Sequence, residues 1–191
     1  MAATKEFPIR SFASAAGFER WLRANHQLNG VWIKMAKKAS GIASVTHDEA
    51  LDVALCFGWI DGQRNGHDDS YFLQKFTPRR SRSLWSKRNT AKIAKLTAAG
   101  RMQPSGLAEV AAAKRDGRWK AAYAGPKDMI FPTDFLQALE KNKKARTFFN
   151  TLSKTNVYAI AWRLVTAKKP ETRQRRFAAL LAMLVRGEKF H

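Results

Sequence analysis

SVTHDEALDVALCFGWIDGQ, residues 44–63, holds a helix start, a helix end and the beginning of the segment that follows. Thr46 and Glu49 stand at T-x-x-E spacing. At that spacing the threonine hydroxyl and the glutamate carboxylate satisfy each other's backbone donors in a capping box. Leu51, Ala54 and Leu55 then share one helical face,. Gly58 sits where a helix end favours a left-handed residue,. The pattern predicts a helix over residues 46–57. Past it, WIDGQRNGHDDS is short, turn-rich and compatible with a strand that bends back, and residues 71–76 read as another strand,.

Upstream, residues 12–25 predict a helix with Phe18, Trp21 and Leu22 on one face and Ser14 as its cap,. In VWIKMAKK, Val31, Ile33 and Met35 alternate with Trp32 and Lys34, the pattern of a strand with one buried face,. From Ser86 the texture turns helical: residues 86–99 end at Gly100, and residues 105–115 end at Gly117. AYAGPKDMIFP, residues 122–132, reads as a linker because of its Gly and two Pro,. Three helical segments follow, over residues 133–142, 156–167 and 170–186; the last carries Phe177, Leu180, Leu181 and Leu184 at i, i+3, i+4, i+7,. The expected fold class is α+β. A small antiparallel or mixed sheet packed with helices occupies residues 1–124, and a small all-helical domain occupies residues 125–191.

The chain has 191 residues, 45% of them apolar, enough to bury a core,. Its charge is the outlier: 35 Lys and Arg against 15 Asp and Glu give a net +20, with a pI near 10.7. Such an excess attracts polyanions, so the candidate partners are nucleic acid, an anionic lipid surface or an acidic protein. The single cysteine, Cys56, cannot form a disulfide within the chain, which fits a reducing compartment,. MAATKEFPIRSFASAAGF at the N-terminus has no long apolar run of the export type,. No stretch approaches the ~20 apolar residues of a membrane span. A cytoplasmic location is expected.

Three clusters carry candidate chemistry. In KKPETRQRR, residues 168–176, Pro170 suits the first position of a helix,. A helix start favours acids, yet only Glu171 is acidic there, beside Lys168, Lys169, Arg173, Arg175 and Arg176,. Cations crowded at a helix start suit an anion site; the plain alternative is that Glu171 and neighbouring acids in the fold neutralise them. TPRRSRSLWS, residues 77–86, repeats the theme. Arg79, Arg80 and Arg82 could grip phosphate or carboxylate in two-point fashion, Ser86 adds a hydroxyl donor, and Trp85 suits base stacking,. The same stretch also reads as a solvated loop with Trp85 at the core edge. Trp59 and Asp61, just past the capped helix, could hold a ligand by stacking and charge. Alternatively, Trp59 is core and Asp61-Gly62 an ordinary turn. Cys56 reads as buried filler, since a helix C-terminus raises a thiol pKa. His26, His47, His67 and His191 are scattered, and His67-Asp68-Asp69 reads as a polar turn. With no metal-ligand spacing and no nucleotide-binding or nucleophile-elbow pattern, neither a cofactor nor a metal is expected.

Residues 44–63, FTPRRSRSLWSKRN from Phe76, and GRM with GLAEV downstream resemble the YdeI/OmpD-associated family. So do residues 134–139, the pair Phe148-Phe149 and AKKPETRQRR from Ala167 in the C-terminal half, where the family has a small helical domain. The resemblance implies a stress role in bacteriocin protection and resistance to cationic antimicrobial peptides, and association with an outer-membrane porin. It implies no particular reaction. A porin lies outside the cytoplasm, which sets direct contact with it against the expected location. A +20 chain repels cationic peptides, so protection would act through an anionic intermediary. The favoured expectation is therefore a non-enzymatic binding module with basic anion sites. The alternative is an enzyme on a small phosphorylated or carboxylated substrate, clamped by Arg79, Arg80 and Trp85, with Asp61 as acid or base.

Overall fold

The computed structural model describes residues 7–190. The stretch read for an export signal begins within residues 1–6, and those residues and His191 lie outside the described residues. The chain divides into two compact units: residues through Trp85 together with Asn89–Ala121, and Ser86–Arg88 together with the residues from Ala122 onward.

The first unit is built on strands β1 (Ile9–Ser11), β2 (Val31–Ala36), β3 (Trp59–Gly66) and β4 (Tyr71–Pro78), with helices α1 (Ala15–Asn25) and α2 (His47–Cys56) between them and α3 (Lys87–Ala98) and α4 (Pro104–Arg115) after them. The strands form one mixed sheet in the order β1-β2-β4-β3. β1 runs parallel to β2, with α1 as the crossover, and the remaining pairs are antiparallel,. The α+β class read from the sequence is thus the architecture observed.

The expected capping box forms. Thr46 Oγ1 accepts from Glu49 N at 3.3 Å, and Glu49 Oε2 accepts from Thr46 N at 2.9 Å. The bonds that Thr46 N and Thr46 Oγ1 donate to Glu49 Oε2 hold the Glu49 carboxyl below its ordinary pKa. Ser14 caps α1 by accepting from Gly17 N. The β2 alternation is also realised: Val31, Ile33 and Met35 are buried, opposite Phe76, Gln74 and Phe72 of β4. Phe18 of α1 is fully buried and lies 5.7 Å from Phe76 ring to ring. The helices therefore cover the Val31, Ile33 and Phe76 face, and Trp32, Lys34, Tyr71, Leu73 and Lys75 point to the other.

Two features of this unit differ from expectation. Ile9–Ser11 adds a short strand that three residues could not announce by periodicity,. Asp61-Gly62 is not a hairpin turn, because β3 runs through it with a bulge between Asp61 and Arg64. The carbonyls freed there are met by buried Gln74, whose Nε2 donates to Gly62 O (3.0 Å) and Gln63 O (3.2 Å),. The chain reverses later, where Asp68 Oδ1 accepts from Ser70 N and Tyr71 N. This is the polar turn expected at His67-Asp68-Asp69.

The second unit holds α5 (Thr133–Glu140), α6 (Lys143–Phe149), α7 (Lys154–Val165) and α8 (Pro170–Val185). Its core is Phe135, Leu139, Ala145, Ile160, Leu164, Leu180 and Leu184, with Phe177 packed edge-on to Phe135 at 4.9 Å,. α6 was not foreseen. Asn142, read as the end of a helix, instead starts one, its side chain accepting from Ala145 N at 3.0 Å,.

Candidate functional site

The basic helix start expected at residues 168–176 is the start of α8, with Lys169 at the cap position and Pro170 inside the first turn. The five cations divide into two kinds. Arg173 forks onto Asp134, with contacts of 2.7 and 2.8 Å. Its side-chain hydrogen bonds hold the Asp134 carboxyl below the usual range, and the carboxylate in turn raises Arg173. Arg176 Nη1 donates at 2.8 Å to Arg163 O, one of the last carbonyls of α7, and so caps that helix,. Lys168, Lys169 and Arg175 are exposed. Among the described residues none of these three has an acid within ion-pair distance. The helix start therefore keeps three solvent-facing cations after its nearest paired acid, Asp134, has been taken up.

The second expected cluster is mainly a structural clasp. Arg79 is buried, its guanidinium lies 3.5 Å above the Trp85 ring, and its Nη1 donates to Leu84 O,. Trp85 is 1% exposed and packs on Trp119 at 4.9 Å. Buried Arg118 ties the loop down, donating to Asp116 and to Ser83 O. Ser83 Oγ accepts from Arg80 N. Arg80 and Arg82 stay exposed, while Ser86 bridges to Tyr123 just before α3 begins. Only the outer two arginines of this loop face solvent.

Trp59 is core, 1% exposed, with its indole N–H on His26 O at 3.1 Å. Asp61, paired with Phe76 on the helix-covered face just before the bulge, meets His47 Nε2 at 3.1 Å. No local pattern announces this pair, because the two residues are 14 apart on a helix start and a strand. Cys56 is buried, and desolvation pushes its thiol to about 11,. Among the described residues no cluster of His, Cys, Asp and Glu could hold a metal ion.

Sequence reasoning missed the outer face of the sheet as a site. Lys34 Nζ lies 4.1 Å above the Tyr71 ring. Lys75 Nζ lies 4.5 Å from the Phe7 ring and 5.5 Å from that of Trp32. Beside them a depression of about 560 Å³ is lined by Phe7, Pro8, Ile9, Trp32, Asn65 and Leu73. The alternation of β2 pointed Trp32 and Lys34 outward. What it could not give was the register with β4, which sets Lys75 across from Trp32 and Leu73 across from Lys34,.

Two family models match the chain. Residues 10–109 match one described as a domain of unknown function (DUF8412). Residues 128–187 match one described as bacteriocin-protection, YdeI or OmpD-associated. The resemblance drawn from the sequence is met in that second segment, whereas residues 44–63 and the stretch from Phe76 fall inside the first model. No curated protein and no solved structure gives a significant match. The first model spans just over half of the chain, so the chain belongs to the DUF8412 family, and its C-terminal helices match the bacteriocin-protection, YdeI or OmpD-associated family.

Proposed function

We propose that this protein is a binding module of the bacteriocin-protection, YdeI or OmpD-associated type that engages a polyanion through its basic surfaces. A cytoplasmic location and a role in stress or antimicrobial-peptide protection are part of the proposal. The observation that carries it is the start of α8. Arg173 and Arg176 are spent on Asp134 and on the end of α7, yet Lys168, Lys169 and Arg175 remain turned to solvent at a helix terminus that already favours anions,. A segment needing only structural contacts has no use for three further cations there. Exposed Arg80 and Arg82 add to the same excess in the first unit. Because like charges repel, protection against cationic peptides would run through the bound polyanion rather than by capture of the peptide.

The enzyme reading has one observation in its favour, the His47–Asp61 pair, which has the separation of an acid–base couple,. Its clamp has less support. Arg79 and Trp85 are 6% and 1% exposed, which leaves Arg80 as the one outward group of the three. Direct binding decides between the two. The full chain is titrated with oligo(dT), duplex DNA and anionic vesicles, at low and at near-physiological salt. Binding that weakens steeply with salt supports the polyanion proposal. No binding to any of them at low salt sinks it.

A further inference from the structure

We infer that the open face of the N-terminal sheet binds single-stranded nucleic acid, with bases stacking at Trp32 and phosphates meeting Lys34 and Lys75. This rests on the polyanion proposal and adds to it a ligand class and a second surface.

A sheet covered by helices on one face ordinarily turns polar residues to the other. Here that face carries Phe7, Ile9, Trp32, Tyr71 and Leu73, with Ile9 47% exposed. Lysines are interleaved with the rings instead of standing apart from them. Lys34 sits over Tyr71, and Lys75 sits between Phe7 and Trp32. Single-strand sites have this composition: a flat ring takes a base by its π-face, and a cation within a few ångströms takes the adjoining phosphate. The depression beside Trp32 is large enough for a small planar ligand, and the Asn65 amide at its wall offers both a donor and an acceptor for a base edge,.

Other occupants fit less well. An acidic peptide would satisfy the lysines but offers the half-buried rings no stacking partner. A lipid surface calls for protruding apolar side chains, and this is a depression. A duplex keeps its base faces stacked on each other and away from Trp32. One contact opposes the inference: Asp68 Oδ2 lies 3.8 Å from Lys34 Nζ. Both groups reach solvent, and a pair of that kind is weak enough for a phosphate to displace,.

The test uses the full chain with labelled oligo(dT), and with inorganic polyphosphate and poly-glutamate as anions without bases. Trp32→Ala is expected to weaken oligo(dT) binding about tenfold, and Trp32→Phe, which keeps a ring, to recover most of that loss. Polyphosphate binding should change little in either variant. Lys75→Ala should weaken both ligands. If both Trp32 variants bind oligo(dT) as the parent does, the inference is overturned while the polyanion proposal stands. Equal affinity for oligo(dT) and poly-glutamate of matched charge would overturn it in favour of an acidic polypeptide. Failure to bind any of the three would remove the proposal and the inference together.

Discussion

Replacing Gly106 with Ala should destabilise the N-terminal unit, although the same change at most helix positions does the opposite. Gly106 lies in the first turn of α4, where that helix crosses the end of α2. An ideal Cβ there would stand 2.1 Å from Cys56 O, 2.8 Å from its carbonyl carbon and 3.0 Å from Leu55 O. Each of these is backbone, so no side chain can swing aside. Side-chain Cβ atoms do not approach closer than 3.0 Å, so the two helices must part by about 1 Å in an interior that is already close-packed. Two bonds across the crossing, Gln103 N to Cys56 O and Ser105 Oγ to Phe57 O, are both 3.0 Å and would be stretched beyond hydrogen-bonding range,. Overpacking costs about 1–3 kcal/mol, and a buried acceptor left unmet costs about 1–3 more. Against this, Ala gains about 1 kcal/mol of helix propensity over Gly. The net is a loss of roughly 1–5 kcal/mol, or roughly 2–20 °C in Tm for a chain of this size. Thermal melts followed by circular dichroism measure it, with Ala111→Gly on the exposed side of α4 as the propensity control. A Gly106→Ala variant as stable as the parent, or more so, would refute the packing argument.

Acid stability should depend on Asp134. Its folded pKa lies below its ordinary value because Arg173 donates to it, so its contribution is complete above about pH 3.8 and is lost as pH falls through the folded value,. Both partners are partly exposed, which limits the effect to about 0.5–1 kcal/mol; Asp134→Asn should show a flatter acid limb in pH-dependent melts, and an unchanged limb would contradict this. Cys56 should resist thiol reagents in the folded protein and react promptly in denaturant, since its thiol sits near 11 instead of 9.0,. Stability should correspondingly be unaffected below about pH 9.0 and decline from there towards 11, because the unfolded chain gives up a proton that the folded one retains,. Fast native labelling of Cys56 would show that the site is not closed. Arg176→Ala should lower the stability of the helical unit by about 1 kcal/mol, because Arg163 O loses its donor,, as read by denaturant titration.

Local chemistry was legible and register was not. The capping box at Thr46 and Glu49, the Ser14 cap and the alternation of β2 are written in residues three or fewer apart, and each forms as read. Asn142 shows the limit: a capping side chain marks a helix boundary, but the residue alone does not say on which side the helix lies. The carbonyls at the bulge after Asp61 are met by Gln74 from the neighbouring strand, and no local pattern carries that. Cation counting found the start of α8 but could not divide it. Arg173 is tied to Asp134, 39 residues away, and Arg176 to the end of α7. By sequence Arg79 groups with the outward arginines Arg80 and Arg82, yet stacking on Trp85 takes it inside. The outer sheet face is made by the pairing of β2 with β4, which neither strand carries alone.

The most direct measurement is the salt dependence of oligo(dT) binding by the full chain and by the Lys168→Ala, Lys169→Ala, Arg175→Ala triple variant. Each phosphate neutralised on a single strand contributes about −0.7 to the slope of log affinity on log salt. If the three cations at the start of α8 contact phosphate, the triple variant should bind more weakly at low salt and lose about two units of slope. Equal slopes for parent and variant, or binding by the parent that does not respond to salt, would contradict the account.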